Sequence, residues 1–151
     1  MEDRKWLKSM FRKELDLRPP SLANIGDNSI FIRDDSGIPI AHATLSRRSG
    51  SFEINSVVVD PQHRGQGLSR ELLELADQSS RRLFAYTRDP RMKSALLRAG
   101  YTPARSPGFR PSLNLMVTRP AIFLWMILTL DVKRLVHMSR HMFAYKLYVR
   151  H

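Results

Sequence analysis

The 151-residue chain contains no cysteine, which removes disulfides, thiolate metal sites and thiol nucleophiles from consideration. Its opening, MEDRKWLKSM, lacks the apolar core of a secretory signal, so an intracellular, cytoplasmic location is the expectation. The markedly apolar run 121–130 falls well short of the roughly 20 residues that cross a bilayer, so no membrane span is expected. No internal repeat is visible. Acidic residues are scarce: 14 Asp and Glu face 25 Lys and Arg, a formal charge of +11. The imbalance is marked at the end, where six Lys or Arg between Arg119 and His151 meet Asp131 alone. Such a field favours anionic partners, whether nucleic acid, an acidic protein, an anionic membrane face or a nucleotide-bearing small molecule.

What is present reads as one ordinary globular domain, 42% hydrophobic and 26% charged. Trp6, Leu7, Met10, Phe11 and Leu15 recur at helical spacing over 2–17, and Pro19-Pro20 ends that helix. Strands are expected at 29–33, 39–46 and 51–59, separated by the turns Asp34-Asp35-Ser36-Gly37 and Arg47-Arg48-Ser49-Gly50. Leu68, Leu72, Leu75 and Ala76 mark a helix, and 83–86 a short buried strand. Asp89 and Pro90 suit the start of a helix that Gly100 stops. Residues 102–112, with Pro103, Pro107, Gly108 and Pro111, read as a loop, and 113–118 as a last strand. Beyond Pro120, Ala121, Leu124, Leu128, Leu135, Met138, Met142, Tyr145 and Val149 share a near-heptad stripe broken at Asp131. One or two helices over 120–149 follow from it. The expected organisation is thus a domain over 1–119 (helix 2–17, core 29–118) and a helical extension over 120–151.

The chemistry concentrates in one segment. A strand that runs through a short loop into a glycine-bearing helix start presents free amides and the positive end of a helix dipole to an anion. Gly65 and Gly67 allow close approach and Arg64 adds charge, so residues 64–69 form a cradle suited to a pyrophosphate. No Gly-Lys-Ser/Thr follows, and the third glycine of G-x-G-x-x-G is missing, so the ligand is neither a P-loop nucleotide nor a dinucleotide by motif. His63 sits beside this cradle as an ordinary loop residue, and His137 and His141, one turn apart, lack a third ligand, so no metal is expected.

The string Val59-Asp60-Pro61-Gln62-His63-Arg64-Gly65-Gln66-Gly67-Leu68-Ser69-Arg70-Glu71-Leu72-Leu73 resembles the acetyl-CoA motif of GNAT acetyltransferases, R/Q-x-x-G-x-G/A, with Ser69 in the last small-residue position. Leu97-Arg98-Ala99-Gly100-Tyr101 resembles the family's closing Gly-aromatic, and the likeness covers about 29–118. It implies an α/β fold with a mixed, mostly antiparallel central sheet flanked by helices, to which the basic amphipathic helical tail is added. Acetyl-CoA is the implied co-substrate. Val57, Val58 and Val59 would pair with its pantetheine arm, the amides of Arg64, Gly65, Gln66, Gly67, Leu68 and Ser69 would hold its pyrophosphate, and Asp89 would face it or serve as a helix cap.

The likeness further implies transfer of acetyl to an amine of an unidentified acceptor, protein or small molecule, within one ternary complex. Glu53, at the strand offset of the base in GNAT histone acetyltransferases, is the implied general base, and Asn55 on the same strand face would position a water or the acceptor. The tyrosine that protonates the leaving thiolate in many members is Leu96 here, with Tyr86 and Tyr101 as nearby substitutes. That departure and the basic tail keep open an alternative: a non-catalytic subunit of a nucleoprotein or virion assembly that uses the tail on a protein or nucleic-acid partner.

Overall fold

The computed structural model describes residues 2–78 and 82–150. The chain runs α1 (Glu2–Lys13), β1 (Ser29–Arg33), β2 (Pro39–Arg48), β3 (Ser51–Val59), α2 (Leu68–Asp77), β4 (Leu83–Thr87), α3 (Pro90–Arg98), β5 (Thr102–Ala104), α4 (Phe109–Leu128), α5 (Val132–His141) and β6 (Lys146–Arg150). Six strands form one sheet in the order β1-β2-β3-β4-β6-β5. All neighbours are antiparallel except β3 and β4, so the mixed, mostly antiparallel sheet flanked by helices is the architecture found.

Two hydrophobic clusters straddle the first half of the sheet. Leu68, Leu72, Leu73 and Ala76 of α2 pack on Ala41, Ala43, Ile54, Leu83 and Ala85. Across the sheet, Leu7, Met10 and Phe11 of α1 meet Val58 and Ala23. Strand β3 lends side chains to both clusters by ordinary alternation, and it also carries a bulge. Thr44 pairs with Asn55 but His42 with Val58, leaving one extra residue on β3, and Ser56 takes φ 52, as an inserted bulge residue does. Side-chain parity reverses there: Phe52 and Ile54 face the α2 cluster before the bulge, Val57 and Val59 after it. His42, fully buried, faces the bulge, its Nδ1 3.2 Å from the Ser56 carbonyl.

The second half departs from the sequence reading. Residues 113–118, expected as a strand, belong to the twenty-residue helix α4. Alternation in that short stretch was outweighed by the apolar residues on both sides of it, which continue the helix through Pro120. The loop expected over 102–112 contains β5, and the extension expected to be helical ends in β6, which inserts between β4 and β5. The boundary expected at 119/120 falls inside α4, so the last strand of the sheet comes from beyond it.

Asp131 does break the helical run, as its side-chain bond to the Arg134 amide caps α5. Leu130, at φ 55, supplies the left-handed turn that closes α4.

The short apolar run behind the expectation of no membrane span is corrected by α4, which is long and apolar enough to cross a membrane by length and composition. Its connections argue otherwise. Helix α4 leaves from β5 and its chain returns to β6, adjacent strands of one sheet, through the ten-residue α5. A helix of that length reaches about 15 Å, half of a hydrocarbon core.

Candidate acetyl-transfer cleft

Strands β3 and β4 pair only from Phe52–Leu83 to Ile54–Ala85. Beyond Ile54 and Ala85 they part, and Val57, Val58, Val59 on one side and Tyr86, Thr87 on the other line a cleft of about 1110 Å³. The bulge at Ser56 lies where the strands begin to diverge.

At one end of the cleft lies the cradle. Arg64, Gly65, Gly67, Leu68 and Ser69 line it, and Asp89 stands opposite at the start of α3. Among the described residues, the amides of Arg64 through Ser69 donate to no protein acceptor, whereas Arg70 and Glu71 already donate to the Gly67 carbonyl. Gly65 and Gly67 take φ 82 and φ 81, and a Cβ at either would meet nothing within 4 Å. Their necessity therefore comes from the left-handed backbone and from the open space before the amides, not from internal packing. The fit to a diphosphate is good.

The Arg64 side chain turns away, donating to Glu14 Oε1 at 2.6 Å and to the Val59 carbonyl at 3.3 Å, so only its amide faces the cradle. Gln66 does not line the cleft. Asp89 accepts from the Arg91 amide at 2.8 Å, the cap role of the two considered for it.

The other end holds the charged groups. Glu53 is buried and its Oε2 accepts from Arg48 Nε at 2.8 Å. Arg48 also reaches Asn114 Oδ1 of α4 at 3.2 Å. Asn55 lines the cleft beside Glu53, but its amide is taken up by Ser46 Oγ at 2.8 Å and its carbonyl accepts from Ser56. It braces the bulge. Arg18 enters from the segment after α1, and Arg119 from α4 lies 4.1 Å above the Tyr86 ring. Burial pushes the Tyr86 phenol up, partly offset by Arg119, so it stays protonated and can act as a donor.

The two tyrosines offered as replacements for the missing one separate cleanly. Tyr86 is on the cleft; Tyr101 is in the α2 cluster, its hydroxyl unpartnered and its phenol raised by burial. Leu96 is fully buried in the same cluster.

A polar knot closes the rim. Asp16 Oδ1 accepts from Arg88 Nε at 2.9 Å and Tyr145 Oη at 2.9 Å, and lies 2.8 Å from His137 Nε2. Burial raises the Asp16 carboxyl, but these hydrogen bonds prevail and hold it below the ordinary range. Burial, followed by the Asp16 contact, raises Tyr145 to about 12. Behind this knot Arg134, buried, donates to the carbonyls of Phe11, Glu14, Leu17 and Arg18 and to Asp131 Oδ2. His141 Nδ1 lies 2.8 Å from the His137 carbonyl, and no group of three metal-binding side chains occurs among the described residues.

Arg18, Arg48, Arg119, Asp16 and Arg134 were not signalled by the sequence. Asp16 and Arg18 come from the segment after α1, Arg48 from β2, Arg119 from α4 and Arg134 from α5, so no linear spacing joins the set.

The acetyltransferase (GNAT) family model matches residues 3–101, two thirds of the chain. No curated protein matches significantly in sequence. Among solved structures, N-acetylglutamate synthase from Neisseria gonorrhoeae, complexed with coenzyme A and N-acetylglutamate, aligns with 99% of this chain at TM-score 0.63 and 16% identity. The chain spans only 33% of that protein. Rv2747 from Mycobacterium tuberculosis, in complex with CoA and NLQ, aligns with 97% of this chain and 92% of its own length, at TM-score 0.59 and 16% identity. A chimera of the spermidine N-acetyltransferase SpeG from Vibrio cholerae and hSSAT aligns with 68% of this chain and 76% of its own, at TM-score 0.53 and 18% identity. The alternative of a non-catalytic assembly subunit finds no support among these matches. With the motif at 64–69, the parted strands and the family match in agreement, the chain belongs to the GNAT acetyltransferase family.

Proposed function

We propose that the chain transfers acetyl from acetyl-CoA to an amine, with the co-substrate entering along the parted strands and the acceptor meeting it at the Glu53 end. The observation that carries this reading is the fork between β3 and β4 opening beside a run of unengaged amides. In this reading the amides of Arg64, Gly65, Gly67, Leu68 and Ser69 hold the pyrophosphate and the open edges of Val57–Val59 and Tyr86–Thr87 flank the pantetheine arm. The CoA-bound neighbours support acetyl-CoA as the co-substrate.

Glu53 takes the first proton and leaves the amine neutral. The amine nitrogen then attacks the thioester carbon, the C–N bond forms, and the C–S bond breaks. Tyr86 protonates the leaving thiolate, and the nitrogen's second excess proton, released as the amide forms, passes through solvent to restore the Tyr86 phenol, so that one net proton leaves on Glu53. Asn55 acts as a positioning residue, because its side chain is spent on Ser46 and Ser56.

Calorimetry with acetyl-CoA and a thiol-release assay over an amine panel test the proposal. Glu53→Gln should lower kcat by roughly 10²–10⁴-fold while the acetyl-CoA Kd stays near wild type. Failure of the wild-type chain to bind any acyl-CoA would overturn it.

A further inference from the structure

The acceptor end of the cleft holds more positive charge than its own carboxylate can answer. Arg48 is answered by Glu53 at 2.8 Å. Arg18 feels the charge of the same Glu53, which Arg48 already occupies, and Arg119 is stacked on the Tyr86 ring; neither forms an ion pair with a carboxylate among the described residues. Arg18 makes no side-chain hydrogen bond there, although it is half-buried and its carbonyl is pinned by Arg134 at 2.9 Å. Burial lowers its guanidinium from the ordinary value. A guanidinium removed from water and left with unused donors is costly unless an anion completes it, and its planar fork matches a carboxylate.

We propose that the acceptor is a small amine that also bears a carboxylate, with Arg18 and Arg119 receiving the carboxylate while the amine faces Glu53. This rests on the transferase reading above and adds the substrate class. With Glu53 shared by Arg48 and Arg18, this end of the cleft is net positive and suits an acceptor that brings a carboxylate of its own. It is unfavourable for a polycation, which would place like charge against both arginines.

The test compares kcat/KM for amino acids, each against the amine lacking its carboxylate, with spermidine and an aminoalkyl phosphate as further arms. Carboxylated acceptors should lead by about tenfold or more. Arg18→Gln should raise their KM by about tenfold or more, and Arg18→Lys should recover part of the loss. The acetyl-CoA Kd, measured by calorimetry on the same variants, should stay near wild type, which separates a folding defect from loss of the subsite. Binding of N-acetyl amino acids to the CoA complex gives a readout without turnover and should weaken in Arg18→Gln. Equal or better use of the carboxylate-free amine, of spermidine or of the phosphate would overturn the proposal and leave the transferase reading standing. So would an Arg18→Gln variant with unchanged KM, or no product binding to the wild-type CoA complex. Loss of acetyl-CoA binding by the wild-type chain would instead strike the transferase reading itself.

Discussion

His42 gives the fold a pH dependence whose sign and size follow from its surroundings. The ring is fully buried on β2, with Phe31 at 4.7 Å between centroids and Nδ1 against the Ser56 carbonyl at the bulge, while Nε2 has no partner. Burial opposes the charged form and brings the group from 6.5 to about 4, the Ser56 contact offsetting it only in part. Above about pH 6.5 the ring is neutral whether folded or unfolded. Between 6.5 and about 4 the unfolded chain binds the proton and the folded chain does not, so stability falls as the pH falls. The full difference is about 3 kcal/mol, of which about 1.4 kcal/mol should be lost by pH 5.5 and about 2.6 kcal/mol by pH 4.5. That is a large share of a typical domain's stability. Urea unfolding followed by circular dichroism from pH 7.5 to 4.5, on wild type and His42→Gln, isolates the effect, because glutamine can still donate to Ser56 but does not titrate. Asp3 and Asp16, both lowered from 3.8, lose their contributions below that range and in both proteins alike. Parallel stability profiles for the two proteins between pH 6.5 and 4.5 would refute the reasoning.

Gly67→Ala should cost about 1–2 kcal/mol of stability through its φ of 81 alone, and should weaken acetyl-CoA binding at least tenfold by calorimetry, since the new methyl enters the space before the amides. Arg134→Met should cost about 3–5 kcal/mol in urea unfolding, because four backbone carbonyls and Asp131 lose a buried charged donor; a loss below 1 kcal/mol would contradict the role given to that side chain. Leu130→Gly should stabilise by about 1 kcal/mol or slightly more in the same assay, because Leu130 holds φ 55 and is 81% exposed, so the change relieves strain and removes little packing.

Legibility in the sequence divided along the chain. Most boundaries in the first 100 residues were readable because they have a local chemical cause: Gly37 and Gly50 at positive φ in the turns, Gly67 before α2, Asp89-Pro90 opening α3 and Gly100 closing it; α1 is the exception, expected over 2–17 up to Pro19-Pro20 but ending at Lys13. The cradle was readable for the same reason. The bulge at Ser56 was not, since Asn55-Ser56 looks like ordinary strand and only the register with β2 reveals the added residue. Past Gly100 the cues fail. Helix α4 has a proline inside it and ends on a left-handed leucine rather than a glycine. Strand β6 is five residues long, and its partners β4 and β5 are both non-local in sequence. A stripe through Met142, Tyr145 and Val149 fits a helix as well as it fits the end of one helix and the start of a strand. Tertiary pairing decides such segments, not propensity.

That misreading matters for the site, because the last part of the chain helps build the Glu53 end of the cleft, the end proposed to receive the acceptor. Arg119 and Asn114 come from α4, His137 and Arg134 from α5, and Tyr145 immediately precedes β6. Arg134 grips the carbonyls of Glu14, Leu17 and Arg18, while His137 and Tyr145 hold Asp16. The loop that presents Arg18 is thus positioned from residues more than 100 positions later in sequence. The cofactor half of a GNAT domain is a local device, strand, loop and helix, and a motif can encode it. The half proposed to receive the acceptor is assembled from α4, α5 and the segment after α1. Its specificity follows which side chains those packed elements happen to bring beside Glu53, and so it carries no linear signature.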